Sequence, residues 1–150
     1  MVRPHILLVD DDVYVVESLK TYMEILGYRV SAAYSFDQAL RVLRGDDKID
    51  LVVLDYLLPD GSGMDLLRSL DEQPQIQKPR VIMSSGVLDA GTPLWEMLKK
   101  QLSPGAQSLI QAYVSKPYTL DAMDVALHEV LGGDYIPGPR LTRTKRHAPA

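Results

Sequence analysis

Two short stretches of the chain are apolar without a break. Ile6-Leu7-Leu8-Val9 runs into Asp10, Asp11 and Asp12, and Leu51-Val52-Val53-Leu54 ends at Asp55. Runs of this length bounded by polar residues predict strands buried on both faces, as in a parallel sheet. Val81-Ile82-Met83, ending at Ser84-Ser85-Gly86, and Ala112 to Ser115, ending at Lys116-Pro117, predict two more. Tyr28 to Tyr34 is a weaker strand, carried by its β-formers Val30 and Tyr34.

Between the strands the apolar period becomes helical. Val13, Val16, Leu19, Tyr22, Met23 and Leu26 share one face, with Asp12 a good N-cap and Gly27 a stop. Ser35 caps a short helix carrying Ala39, Leu40, Val42 and Leu43, which stops at Gly45. Leu57-Leu58-Pro59-Asp60-Gly61 is turn chemistry, and Gly63 to Leu70 forms a third helix. Residues 93–102 predict a helix opened by Pro93 and broken by Ser103-Pro104-Gly105, with a short helical piece over Ala106 to Gln111. Leu120 to Leu131 is the last helix, with Leu120, Met123, Ala126, Leu127, Val130 and Leu131 on its apolar side. Strands alternating with helices predict a doubly wound α/β domain with a five-stranded parallel sheet and helices on both faces.

Composition narrows the function classes. A chain of 150 residues is one domain's worth and can bury roughly two-thirds of its unfolded surface. No cysteine is present, so disulfides and thiolate metal sites are excluded, which fits a reducing cytoplasm. No apolar run approaches the ~18 residues of a membrane span. The net charge of −4 argues against a protein that coats nucleic acid. Residues 132–150 carry Arg140, Arg143, Lys145 and Arg146 against Asp134 alone, a net +3, which leaves the preceding residues at −7. With Pro137, Gly138 and Pro139 and few large apolars, this basic tail is expected to be a disordered linker. Its four basic residues lack interleaved aromatics, so a solvated linker is favoured over contact with nucleic acid.

Parallel strands bring their carboxyl ends to one edge of the sheet, where ligands bind near a switch in strand order. Four predicted strands end there in chemistry: Asp10-Asp11, Asp55, Ser84-Ser85 and Lys116. Each has a bland reading as helix cap, loop acid, turn residue or solvated lysine. Together they form a site: clustered carboxylates repel unless a cation joins them, and Mg²⁺ takes oxygen ligands. A lysine and a hydroxyl alongside would hold phosphoryl oxygens. No histidine lies in these segments, which argues against zinc.

These residues resemble the receiver domain of two-component response regulators. ILLVDDD is similar to that family's first strand and acidic pair. LVVLDYLLPDGSG is similar to its phosphoacceptor segment, with Pro59 four and Gly63 eight residues past Asp55. VIMSSG and AYVSKPYT resemble the strand ending in a hydroxyl and the aromatic-spacer-Lys-Pro motif. The resemblance runs from Ile6 to Leu131 and implies a flavodoxin-like (βα)5 fold over residues 1–131. It implies that Asp55 accepts a phosphoryl group from a histidine kinase or histidine phosphotransfer protein. It implies Mg²⁺ held by Asp11 directly, by Asp10 mainly through water, by Asp55, and by the carbonyl of Leu57. Lys116 would pair with the acyl phosphate, Ser85 would be the switch hydroxyl, and Tyr113 the switch aromatic. Gly86 after Ser85 favours that register, whereas counting from Pro79 favours Ser84.

Two departures stand out. The segment between the fourth and fifth strands is longer than in the usual receiver and contains Trp95, expected to pack inward. After Leu131 no output-domain pattern follows, so the chain reads as a stand-alone receiver or part of a longer protein. An output partner or a homodimer would read its state. Leu57 and Val87, both apolar, stand where the family tunes autodephosphorylation, and neither orients an attacking water, so slow loss of phosphate is expected. The alternative is an enzyme: Asp10-Asp11-Asp12-Val13 also resembles the loop of haloacid-dehalogenase-type phosphatases, with Asp10 the nucleophile and Asp12 the acid/base.

Overall fold

The computed structural model describes residues 3–86 and 91–137. Strands β1 (His5–Val9), β2 (Arg29–Ala33), β3 (Leu51–Asp55), β6 (Arg80–Ser85) and β7 (Ile110–Ser115) form one parallel sheet in the order β2-β1-β3-β6-β7. The two-residue strands β4 (Leu57–Leu58) and β5 (Gly61–Ser62) make a separate antiparallel hairpin just past Asp55. The central runs are apolar at every position because both their faces are covered. β1 and β3 are buried along their whole length.

Two cores result. Helices α1 (Val13–Leu26) and α6 (Leu120–Leu131) cover one face, packing Val16, Leu19, Met23, Met123, Leu127 and Val130 on Ile6, Leu8, Val53 and Ile82. Helices α2 (Phe36–Arg44), α3 (Gly63–Glu72), α4 (Pro93–Lys100) and α5 (Pro104–Leu109) cover the other. The enlarged segment is thus two helices, and Trp95 is buried in the second core, 4% exposed.

Several boundaries move for local reasons. Ser103 and Pro104 do not merely break a helix; they begin α5, Ser103 accepting from the Ala106 N–H with Pro104 at a first-turn position. Strand β7 therefore starts at Ile110, with a register shift opposite Val81 and Ile82. Val13 and Leu120, expected on the apolar faces of α1 and α6, are instead exposed, each in the first turn of its helix.

The expected boundary after Leu131 falls inside packed structure. Tyr135 donates to Asp124 Oδ2 at 2.6 Å and stacks on His128. The Ile136 N–H donates to the Tyr28 hydroxyl at 2.6 Å. Arg80 ties the Val130 carbonyl and Asp134 together. The rest of the basic tail, 138–150, lies outside the described residues, as does Val87.

Candidate functional site

The strand order reverses between β1 and β3, and Asp10 and Asp55 stand at that point. Both carboxylates are buried, while Asp11 is exposed. Asp10, Asp11 and Asp55 each offer an oxygen within 4.8 Å of the others. Lys116, set at the end of β7 by its N–H donating to the Ser85 carbonyl at 2.9 Å, reaches into the same place. Its ammonium pairs closely with Asp10 Oδ2 and lies 3.5 Å from Asp55 Oδ2. The strand ends thus bring together Asp10, Asp11, Asp55 and Lys116.

Both Asp10 oxygens are engaged, Oδ1 by the Asp12 N–H at 2.9 Å and Oδ2 by Lys116. Asp55 Oδ1 accepts from the Tyr56 N–H at 2.8 Å. Burial, and next the charge of Asp10, pushes the Asp55 carboxyl up to about 6, although Lys116 opposes this. Three carboxylates against one ammonium leave the site short of positive charge. An all-oxygen donor set of this kind fits a hard divalent ion such as Mg²⁺.

The two serines part company. Ser84 lies in register with Asp55 and lines a small cavity of about 10 Å³ with Asp10, Asp55 and Tyr118. Ser85 is one residue on, so its side chain shares the opposite face with Met83. Met83 pairs with Tyr113, and both belong to the core that contains Trp95. Ser85 therefore lies on the Tyr113 side and Ser84 on the α1 side. Tyr118 is a site neighbour that sequence reasoning missed. Burial, then Asp10, pushes its hydroxyl up to about 12. Its position immediately after Lys116-Pro117 was the available signal.

The loop after Asp55 is braced from several directions. A Cβ on Gly63 would stand 2.6 Å from the Asp55 carbonyl oxygen, a clash with backbone, so the glycine permits the close pass of α3 under the site. The Gly63 N–H donates to the Tyr56 carbonyl at 2.7 Å. Asp60 accepts from the Phe36 and Asp37 N–H groups at 2.7 and 3.0 Å, joining the loop to the start of α2. Those two bonds, that from Asp37 first, hold its carboxyl below the usual range. Leu57, half-exposed, opens the β4–β5 hairpin two residues past Asp55.

The phosphatase alternative is not supported. Asp12, its required acid/base, spends Oδ1 on the Tyr14 and Val15 N–H groups as the N-cap of α1. Asp55, which that reading leaves without a role, belongs to the cluster.

A family model described as the response regulator receiver domain matches residues 6–128. The response regulator SaeR of Staphylococcus aureus (strain USA300) is 28% identical over 127 residues, 85% of this chain and 50% of SaeR. The chain thus spans about half the length of the curated relatives it matches. The non-phosphorylated HemR receiver domain from Leptospira biflexa is 29% identical with a TM-score of 0.70, over 87% of this chain and 95% of that one. A CheY-like receiver domain protein from Methanospirillum hungatei JF-1 shares the fold, with a TM-score of 0.73 at 24% identity over 89% and 97% of the two chains. With the acidic cluster at the sheet's switch point and the family match over nearly all of the folded residues, the chain belongs to the response regulator receiver domains, the phosphoacceptor signalling modules of two-component systems.

Proposed function

We propose that Asp55 is the phosphoacceptor and that a histidine kinase or histidine phosphotransfer protein is the donor. The observation that carries this is the meeting of Asp10, Asp11, Asp55 and Lys116 at one point of the sheet edge. An Asp55 oxygen attacks the phosphorus of a phosphohistidine, the phosphorus–nitrogen bond breaks, and the imidazole leaves. Asp55 must be ionised for this, and with its carboxyl titrating near 6 it is so at neutral pH. Lys116 stands where it can exchange its Asp10 contact for a phosphoryl oxygen. Asp11, Asp55 and the Leu57 carbonyl would hold Mg²⁺ directly, with Asp10 acting through water. Mg²⁺ bound there supplies positive charge to the phosphoryl oxygens.

Ser85 is proposed as the switch hydroxyl, because it shares its face with Tyr113, the proposed switch aromatic. Ser84 is the second reading, favoured by its place in the cavity beside Asp55. Phosphorylation would then shift the population of two conformations read by an output partner or a second copy of the chain. No helix among the described residues is long and apolar enough to cross a membrane. A cytoplasmic setting is proposed from the family. The receiver unit is proposed to span residues 1–131, with Tyr135 and Ile136 packed against it and Arg140, Arg143, Lys145 and Arg146 in a basic linker.

Labelling by acetyl phosphate, or binding of beryllofluoride, tests this. Both require Mg²⁺ and are abolished in Asp55→Asn; unchanged labelling of that variant refutes the assignment. Ser85→Ala, but not Ser84→Ala, is expected to uncouple phosphorylation from the change at Tyr113.

A further inference from the structure

Beneath the carboxylates, on the α1 side of the sheet, lies a small polar cavity. Ser84 and Tyr118 meet Asp10 and Asp55 around its volume of about 10 Å³, with Leu19 and Val53 among the apolar side chains that close it. Ser84 is 2% exposed, and among the described residues no group hydrogen-bonds its Oγ. The Tyr118 hydroxyl stands near that oxygen without completing a hydrogen bond to it. A serine hydroxyl buried this deeply ordinarily has a partner, from the protein or from ordered water. Asp55, for its part, has one firm hold, the Tyr56 N–H at 2.8 Å on Oδ1. The Lys116 ammonium, 3.5 Å from Oδ2, is at the outer limit of a hydrogen bond.

We infer that this cavity is the site of one buried water, and that Ser84 and Tyr118 are positioning residues that hold Asp55 through it. The inference rests on the receiver reading above. A buried water needs a polar void of about 10–15 Å³ and two to four partners. The volume is of that size, and four polar side chains line it, two carboxylates that accept and two hydroxyls that donate. A water that accepts from both hydroxyls has both of its own protons for Asp55 and Asp10. Such a bridge is nearly as good as a direct hydrogen bond. It braces Asp55 from the enclosed side of the sheet edge, away from an incoming phosphoryl group. An attacking oxygen gains rate by being held near its line of attack, so losing the brace slows phosphoryl transfer.

A high-resolution crystal structure of the unphosphorylated wild-type protein tests the water directly and depends on no variant folding. An ordered water within about 3.2 Å of both Ser84 Oγ and the Tyr118 hydroxyl is expected, and a dry or collapsed cavity overturns the inference. Kinetics test the role. Labelling by acetyl phosphate with Mg²⁺, in which Asp55 displaces acetate, is followed by intact mass in the wild type, Ser84→Ala, Tyr118→Phe and the double variant. Each single variant is expected to lower the maximal rate by about two- to tenfold, the range one hydrogen bond supports, with the half-saturating acetyl phosphate concentration unchanged. The double variant is expected to lose no more than the slower single variant, since one water serves both hydroxyls. Unchanged rates, a rise in the half-saturating concentration alone, or losses that multiply in the double variant overturn the positioning role. Those results leave the phosphoacceptor reading standing as long as the wild type is labelled and Asp55→Asn is not. No labelling of the wild type overturns both.

Discussion

The two edges of this sheet treat buried polar groups in opposite ways. At the amino ends of the strands, several polar groups meet a complement. The His5 N–H donates to Asp50 Oδ2 at 2.8 Å and its ring meets Ser31 Oγ at 2.7 Å. Tyr28, Tyr135 and Arg80 tie down the chain after α6. At the carboxyl ends, three carboxylates face one ammonium, and Asp55 is pushed toward protonation. One edge is arranged for stability. The other carries an excess of negative charge that a divalent metal ion would relieve, which is how a site holds free energy available for binding.

That contrast predicts that neutralising a site carboxylate stabilises the fold, whereas removing a polar partner at the amino edge, or a bracing contact around the site, destabilises it. The largest effect is expected at Gly63. Gly63→Ala places a methyl against the Asp55 carbonyl, and urea unfolding should show a loss of about 2–3 kcal/mol. Stability equal to wild type would mean that α3 yields easily.

The next effect has the opposite sign. Asp55 titrates near 6 when folded against an ordinary 3.8, so between those values the folded state binds more protons than the unfolded. Stability present near pH 4 is therefore lost as pH rises toward about 6, and the loss is complete above it. Asp55→Asn should remove that slope and be the more stable protein at pH 7.5, on the order of 2 kcal/mol. Mg²⁺ should narrow the gap by stabilising only the wild type. Parallel pH profiles for the two proteins would break the comparison.

At the opposite edge, Tyr135→Phe removes the hydroxyl that donates to buried Asp124, and should cost about 1 kcal/mol. Mg²⁺-dependent phosphorylation should be unchanged in this variant. The smallest effect belongs to Asp60→Ala, which loosens the start of α2. Faster amide exchange at Phe36 and Asp37, with a slight fall in Tm, is the expected reading. The carboxyl is held low by those bonds, so this contribution is present at neutral pH and lost on acidification.

Most of the fold and the four charged residues of the candidate site were legible in the sequence. Continuous apolar runs that end in Asp10 and Asp55 suit the interior of a parallel sheet, and alternation with helices sends those ends, and Lys116 with them, to one edge. Less was legible where a residue's meaning depends on a distant partner. Ser103-Pro104 reads as a break by composition, yet it opens a helix because Asp71 and the second core receive it. Tyr135 and Ile136 look like tail residues, yet Asp124 and Tyr28 hold them. Tyr118 follows Lys116-Pro117 in the AYVSKPYT motif, yet it enters the site only because the chain leaving β7 passes the acids at the end of β1.

By itself, then, the sequence determined which residues are apolar, in what period, and which charged groups end the strands. Those are local properties, fixed by side-chain chemistry and spacing. Only the tertiary structure decided that Asp10 is engaged by both Asp12 and Lys116, that Asp55 is driven up to about 6, and that Ser84 and Ser85 serve opposite faces. Only the tertiary structure set Trp95 on Tyr113. Charge–charge energy and packing depend on distance and burial in three dimensions, and residues far apart in the chain acquire both only when the sheet brings its strand ends together.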